Sequence, residues 1–231
     1  MRLGRLPHDP DTVAFAPQHR MAAASPVPAK LVRAHIPFAP GLYDNDTLPD
    51  CTAAGLANAA SAFGLVRSGA PPVIDPASVP RFYAACVDNP PDLAASNGAV
   101  MQDVLQRAEA GGVDFGQQVP LLPTHAACDA RSREQLAHVM LIYGAGYWGL
   151  DLTERDMAQM GRPLLDDDGS DRSDVVGGHC VVGWAYDGLG DDDRVQIATW
   201  GRLQAVTWRW LGLRLHEAWA VSWPQLVGPS A

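Results

Sequence analysis

The most sharply patterned stretch of the chain runs from Cys51 to Val66. It is rich in alanine and leucine and contains no proline. Such side chains lose little entropy in a helix. Apolar residues at Ala53, Leu56, Ala57, Ala60, Phe63 and Leu65 nearly encircle it, and a helix apolar all round is a buried one. The residues before it, Tyr43-Asp44-Asn45-Asp46-Thr47-Leu48-Pro49-Asp50, are turn formers, because Asn, Asp and Pro make local hydrogen bonds or fix the backbone. Gly69-Ala70-Pro71-Pro72 ends the segment. The pattern predicts a central buried helix with Cys51 at its N-terminal tip.

Weaker patterns follow. Phe82-Tyr83-Ala84-Ala85-Cys86 falls in a short helix over Ser78 to Val87, with Cys86 as packing. Val100, Met101, Val104, Leu105 and Ala108 recur at helical spacing across Ala99 to Ala110, and Gly111-Gly112 stops them. Arg133 to Val139 reads as a helix capped by Ser132, and the apolar run Val139 to Gly144 as a buried strand. The last third is rich in β-branched and aromatic residues. Gly178 to Tyr186, Arg194 to Gly201, Ala205 to Trp210 and Glu217 to Val221 read as an antiparallel sheet, with Asp187-Gly188-Leu189-Gly190-Asp191 as a hairpin turn. Helices first and strands last indicate an α+β fold.

Residues 1–40 are rich in proline and lack a sustained period. They read as an extended arm lying over the domain, with a strand at Leu31 to Ile36; disorder competes over residues 1–25. Residues 41–231 then form one domain, a helical lobe over about 41–135 and a sheet lobe over about 136–231. The acidic segment Asp166-Asp167-Asp168-Gly169-Ser170-Asp171, with Asp174, reads as a solvated loop. Its carboxylate spacing does not fit a calcium loop, which leaves metal binding the lesser alternative.

Composition narrows the function. A chain of 231 residues, 47% hydrophobic and 19% charged, can build a proper core. A net charge of −9 argues against nonspecific nucleic-acid binding. No run reaches membrane-spanning length, and Met1 to His8 lacks the apolar core of a signal peptide. A cytoplasmic product is expected, although signal-independent export or virion association would leave no such mark. Cys51, Cys86, Cys128 and Cys180 lie far apart without zinc spacing, so reduced thiols, no metal and no cofactor are expected.

One feature carries chemistry. At a helix N-terminus the backbone dipole stabilises a thiolate, which makes Cys51 a candidate nucleophile. A thiol nucleophile needs a base, and His179 is the best candidate. It follows Gly177-Gly178, which let other backbone come close, at the start of a buried strand. Each residue alone also has a plainer reading, as a small packed cysteine and a satisfied histidine.

Together they resemble the papain-like cysteine peptidases, in particular prokaryotic and phage-type members. The order Cys then His, at this separation, fits them. Asp44-Asn45-Asp46-Thr47-Leu48-Pro49-Asp50-Cys51-Thr52-Ala53-Ala54-Gly55 stands where the family has D-Q-G-x-L-G-S-C-T-A-N-A. Gly178-His179-Cys180-Val181-Val182-Gly183-Trp184-Ala185-Tyr186-Asp187 resembles G-H-A-V-x-x-x-G-Y-D, and Ala198-Thr199-Trp200-Gly201 stands in place of N-S-W-G. Asn97-Gly98-Ala99 through Gly112-Val113 resembles the helix before the cleft-lining loop. The resemblance runs from about residue 30 to the end. It implies a two-lobed fold, with the cysteine on a central helix and the histidine on the sheet lobe across a cleft. It further implies a protein or peptide substrate, Cys51 as nucleophile, His179 as general acid and base, and Asn45 with the Cys51 backbone N–H as oxyanion donors.

The departures are specific. The orienting asparagine falls on Ala198, which has no hydrogen-bonding side chain; Gln196, Thr199 or water are the substitutes. Trp200 keeps the place of the tryptophan that shields the histidine. Pro49-Asp50 replaces Gly-Ser, and a carboxylate beside Cys51 opposes thiolate formation. Two functions are therefore expected: a thiol hydrolase cleaving peptide or amide bonds through a thioester, or a papain-like module that has lost hydrolysis and serves a structural or binding role in a phage or secretion apparatus.

Overall fold

The computed structural model describes residues 1–7 and 26–227. Helix α1 spans Cys51–Ser68, and fourteen of its residues, Cys51 to Gly64, are buried without interruption. Small side chains make that possible, since alanine, glycine and serine let neighbouring backbone come close on every side. Gly69 ends the helix in the left-handed conformation, which costs glycine little. Helices α2 (Ser78–Cys86) and α3 (Met101–Gly111) pack near α1, and a two-residue strand β2 (Ala99–Val100) leads into α3. This is the helical lobe.

The sheet lobe contains β3 (Thr124–Cys128), α4 (Arg133–Tyr143), β4 (Gly146–Thr153), α5 (Glu154–Gln159), β5 (Val175–Tyr186), β6 (Arg194–Thr199), β7 (Arg202–Thr207), α6 (Trp208–Arg214) and β8 (Leu215–Ser222). With β1 (Arg5–Leu6) and β2 the strands form one eight-stranded sheet in the order β2-β1-β5-β4-β8-β3, with β6 beside β5 and β7 beside β6. The result is a two-lobed α+β fold with a central helix and an antiparallel sheet lobe. β1 is the connecting piece: it runs parallel to β2 of the helical lobe and antiparallel to β5 of the sheet lobe.

Two expected strands are helical. Leu136, Val139, Met140 and Tyr143 recur at helical spacing, Ser132 Oγ accepts from Gln135 N at 3.3 Å, and Gly144 stops the helix in the left-handed region. The apolar run 139–144 therefore finishes α4 and is no strand; the strand β4 begins beyond it. Likewise Trp208 to Trp210 open α6, because Thr207 Oγ1 accepts from Trp210 N at 3.1 Å and caps it. Their indoles donate to Gly188 O at 2.8 Å and Asp156 Oδ1 at 2.8 Å. Over 31–36 the chain makes a single bridge, Leu31 to Tyr186, in place of a strand. What holds this segment is Arg33, buried with its guanidinium on the carbonyls of Met140 and Gly144 at the C-terminal end of α4 and of Trp184 on β5. A cation there also meets the negative end of the helix dipole. Of the arm's first 25 residues, 1–7 carry β1 and 8–25 lie outside the described residues.

The acidic segment is also different from expectation. Asp167 and Asp171 are turned inward, and with Asp156 they surround Arg214 at 2.7, 3.0 and 2.6 Å. Asp166 pairs with Arg209 at 2.6 Å. The carboxylates face guanidinium groups that come from α6, far along the sequence, and only part of the loop is solvated.

The close approach of α1 to β5 fixes the groove between the lobes. A Cβ at Gly55 would lie 2.6 Å from Cys180 Sγ and 3.2 Å from Tyr147 Cε2. Helix propensity favours alanine over glycine by about 1 kcal/mol, but overpacking costs about 1–3 kcal/mol. Gly55→Ala should lower stability in urea denaturation, and adding Cys180→Ala, which removes the obstructing sulfur, should recover part of the loss.

Candidate active site

Cys51 opens α1. Asp50 stands at the N-cap position, but its carboxyl makes no capping hydrogen bond to the helix amides. The Cys51 thiol is 1% exposed, and the backbone amides of Cys180 and Gly4 reach it. Burial pushes the thiol up to about 12, the two amides pull it down, and the Asp50 charge adds to the rise. In this state the sulfur is a neutral thiol.

His179 lies one residue before Cys180 on β5, so the two side chains point to opposite faces of the strand. Cys180 faces α1. His179 Nε2 lies 2.7 Å from Thr199 Oγ1, and its ring stacks on Trp200 at 3.9 Å between centroids with an interplanar angle of 11°. Nδ1 is buried without a hydrogen-bond partner. Burial, with a smaller push from the Arg5 charge, lowers the imidazole to about 3. It is neutral wherever the protein is folded at ordinary pH.

Of the candidate orienting groups, Thr199 is the one that meets His179. Ala198 and Gln196 share the opposite face of β6: Ala198 packs with Phe38 and Trp184, and Gln196 lines a cavity of about 500 Å³ beside Arg33 and Asp187. Trp200 sits at a positive φ of 42° at the end of β6, which turns its indole onto the histidine. Asn45 is buried; its Nδ2 donates to Leu48 O at 3.3 Å, and its side chain bears on the Asp50 carboxyl.

The groove is filled by residues that the sequence reading did not single out. Gly4 N donates to Gly178 O at 3.2 Å, and Gly4 O accepts from Ala99 N at 2.8 Å, so the chain is stitched to both lobes. A Cβ on Gly4 would lie 1.8 Å from Pro49 O, and one on Gly98 would lie 1.9 Å from Gly4 O. Only bare glycines permit this fit. Arg2 N donates to Asn45 O, and Trp200 Nε1 donates to Arg2 O, both at 3.3 Å. The strap thus touches Asn45, Cys51, Gly178 and Trp200 within five residues. The Gly4 N–H, which donates to Gly178 O, lies near enough to the thiol to lower it slightly, while the Gly4 carbonyl is turned toward Ala99. The one sequence signal was an isolated glycine, which often marks close backbone approach.

The four cysteines are free thiols. No helix among the described residues is long and apolar enough to cross a membrane.

No family model and no curated protein matches the chain. Solved structures do. Xylellain, a cysteine protease from Xylella fastidiosa, superposes with a TM-score of 0.68 over 95% of this chain and 95% of its own, at 14% identity. Digestive procathepsin L 3 of Tenebrio molitor larval midgut gives 0.65 over 87% of this chain and 71% of its own, at 12% identity. Procathepsin B S9 from Trypanosoma congolense gives 0.64 over 89% and 80%, at 11% identity. The chain has the papain-like fold.

The Asp50 carboxyl generates a prediction. Both oxygens are buried without a hydrogen-bond partner of good geometry. Burial raises it to about 7 against the opposing pull of the Asn45 side chain and its own backbone. The folded protein therefore holds this proton more tightly than the unfolded chain, whose carboxyl titrates near 4. Its contribution to stability is fully present below about pH 4 and falls as pH rises to about 7, by an order of 4 kcal/mol at most. Asp50→Asn should leave stability unchanged near pH 4 and raise it by a few kcal/mol at pH 8, read from paired denaturant titrations. A pH-independent difference would contradict the raised carboxyl.

Proposed function

We propose that this protein is a latent thiol hydrolase that cleaves a peptide or amide bond of a protein or peptide substrate once its N-terminal strap leaves the groove. The observation that carries the reading is the Thr199–His179–Trp200 arrangement on the sheet lobe of a papain-like fold whose buried central helix opens at Cys51. With Thr199 Oγ1 accepting from Nε2–H, His179 keeps a bare Nδ1 as the base. Thr199 then fills the orienting role that Ala198 cannot, and stacked Trp200 screens the contact from water.

Cys51 gives its proton to His179 Nδ1 and attacks the substrate carbonyl carbon. The oxyanion forms beside the Cys51 backbone N–H, with the Asn45 amide as the second donor. His179 returns the proton to the leaving amine, and water hydrolyses the thioester. In the strapped state that first transfer is strongly uphill, because burial holds the thiol near 12 and the imidazole near 3. Vacating the groove admits water to both groups and removes the Arg5 charge from His179. Water access favours both thiolate and imidazolium, while loss of the Arg5 charge favours the imidazolium and withdraws a smaller pull toward the thiolate.

The alternative, a papain-like module without hydrolysis, is favoured by one observation: Asp50 lies unpartnered beside the nucleophile and opposes the thiolate. The two readings separate in a single experiment. Gly4→Val cannot keep the strap in place, given a Cβ 1.8 Å from Pro49 O. In that full-length variant Cys51 should react with iodoacetamide about tenfold faster or more than in the unaltered chain, and His179→Ala should reverse the gain. Peptide-coumarin hydrolysis should appear with it and vanish with Cys51→Ala. Labelling of Cys51 no faster than that of Cys86 in the Gly4→Val protein would leave the noncatalytic reading standing.

A further inference from the structure

The hydrolase mechanism leaves one buried nucleophile unused. Cys180 is 3% exposed and follows His179 on β5, where it faces α1. It meets the first turn of that helix at two points. Its backbone N–H reaches the Cys51 sulfur, and its own sulfur lies 2.6 Å from where a Cβ on Gly55 would stand. Cys51 and Gly55 are four residues apart in α1, so both lie on the face turned to β5. The Tyr147 hydroxyl, which donates to Thr52 O at 2.9 Å, also meets the Cys180 thiol. The two cysteines therefore share one buried contact, and the Cys51 charge is the largest that acts on the Cys180 thiol.

The arrangement suits a bond between the sulfurs. A disulfide asks for Cα atoms about 4.4–6.8 Å apart. The part of Cys180 that touches the Cys51 sulfur is its amide, one bond from its Cα, and that sulfur is two bonds from the Cys51 Cα. In the reduced protein Cys180 Sγ lies toward Gly55, where the missing side chain leaves it room. A turn about its Cα–Cβ bond, from one staggered position to another, carries it toward Cys51. The other two cysteines sit on separate elements, Cys86 on α2 and Cys128 on β3, where the Cys128 thiol donates to Ala126 O at 3.7 Å.

We propose that Cys51 and Cys180 are a redox pair: once the strap leaves the groove, a hydroperoxide oxidises Cys51, and Cys180 closes a reversible disulfide with it before oxidation can go further. With hydrogen peroxide, the Cys51 thiolate attacks one oxygen. The S–O bond forms, the O–O bond breaks, and the departing hydroxide takes up a proton as water. Cys51 is then a sulfenic acid, oxidised by the two electrons that reduce the peroxide. The Cys180 sulfur next attacks the Cys51 sulfur. The S–S bond forms, the S–O bond breaks, and the hydroxyl leaves as water with the Cys180 proton. A small thiol reverses the bridge by exchange through a mixed disulfide. Without Cys180 the sulfenic acid proceeds to the sulfinic acid, which thiols do not reduce. While the strap is seated both thiols are neutral and out of contact with water, so the reaction belongs to the open groove. The pair shares with the hydrolase reading the need for that opening, but it requires no substrate.

The test treats the full-length unaltered chain and its Gly4→Val variant with hydrogen peroxide, denatures each in excess iodoacetamide, and reads the tryptic peptides by mass spectrometry. The four cysteines fall on four different tryptic peptides. The Cys51 and Cys180 peptides should appear joined in Gly4→Val about tenfold faster or more than in the unaltered chain. The unaltered chain should reach the same bridge on longer exposure, which covers the case in which Gly4→Val does not fold. Dithiothreitol should return both residues to thiols. In Gly4→Val carrying Cys180→Ala, the same treatment should take Cys51 to the sulfinic acid, beyond recovery by dithiothreitol. Cys51 reaching the sulfinic acid while Cys180 stays free, a bridge to Cys86 or Cys128 instead, or no bridge in either chain would overturn the pair. Peptide-coumarin hydrolysis by Gly4→Val separates the two readings. A Cys51–Cys180 bridge in a protein that hydrolyses nothing keeps the pair and sinks the hydrolase. Hydrolysis that peroxide abolishes and dithiothreitol cannot restore sinks the pair and keeps the hydrolase.

Discussion

A bare glycine in the middle of a buried helix sets the geometry of the groove. At Gly55 helix α1 comes so near β5 that a single added carbon would reach the sulfur of Cys180. The approach packs the N-terminal half of α1 against Cys180, the residue that follows His179 on β5. Tyr147 reinforces it from β4, donating its hydroxyl to Thr52 O at 2.9 Å in the first turn of α1. A larger residue at position 55 would push the helix outward, and the tip with it. The chemistry proposed for the site therefore depends on a contact between two groups that take no part in it.

The same tightness sets the electrostatics. With the strap seated, the groove contains almost no water-accessible atom of Cys51 or His179. Desolvation is the largest influence on both, raising the thiol and lowering the imidazole, and it exceeds the help that the Cys51 position at a helix N-terminus provides. A dipole effect is worth about 0.3–1 kcal/mol at an exposed site, while a three-unit shift corresponds to about 4 kcal/mol. Burial wins, and the pair is held in its uncharged form for as long as the groove is filled.

Much of this was legible in the sequence where a short pattern determines a local structure. The run from Cys51 to Val66 has one outcome, a buried helix, because no polar face is available to water. The order of helices before strands gave the fold class for the same reason. What misled was composition without its neighbours. The residues 139–144 are as apolar as a strand, yet they continue a helix already nucleated at Ser132. Trp208 and Trp210 have strand composition, yet a threonine cap bends them into α6. The acidic loop looked solvated because its partner Arg214 lies more than forty residues away in sequence. The orienting contact fell on Thr199 and not on Ala198 because a strand alternates faces, and which face meets His179 is set by pairing that no linear motif encodes. The strap was invisible for a related reason. Its fit is made of absent side chains, at Gly4, Gly98, Gly149 and Gly178, and bare positions leave no periodicity to read.

Two buried arginines on the sheet lobe differ in a way that bears on which contacts are permanent. Arg214 donates from Nε to Asp156 at 2.6 Å and from Nη2 to Asp167 at 2.7 Å and Asp171 at 3.0 Å, and these carboxylates take further donors from Thr153, Trp210 and Ser173. Removing any member would leave a buried charge exposed to none of its partners, so this cluster behaves as part of the core. Arg5 is held less completely. Its Nε is buried without a partner, and its bond to Glu217 is 3.4 Å long. It enters on a short strand held by one register pair to β5 and two to β2. A strand that short carries little pairing energy of its own, and its retention depends on the charge at its end. An orphaned donor, a long contact to Glu217 and a short strand make Arg5, although it also meets Asp151, the less completely satisfied of the two.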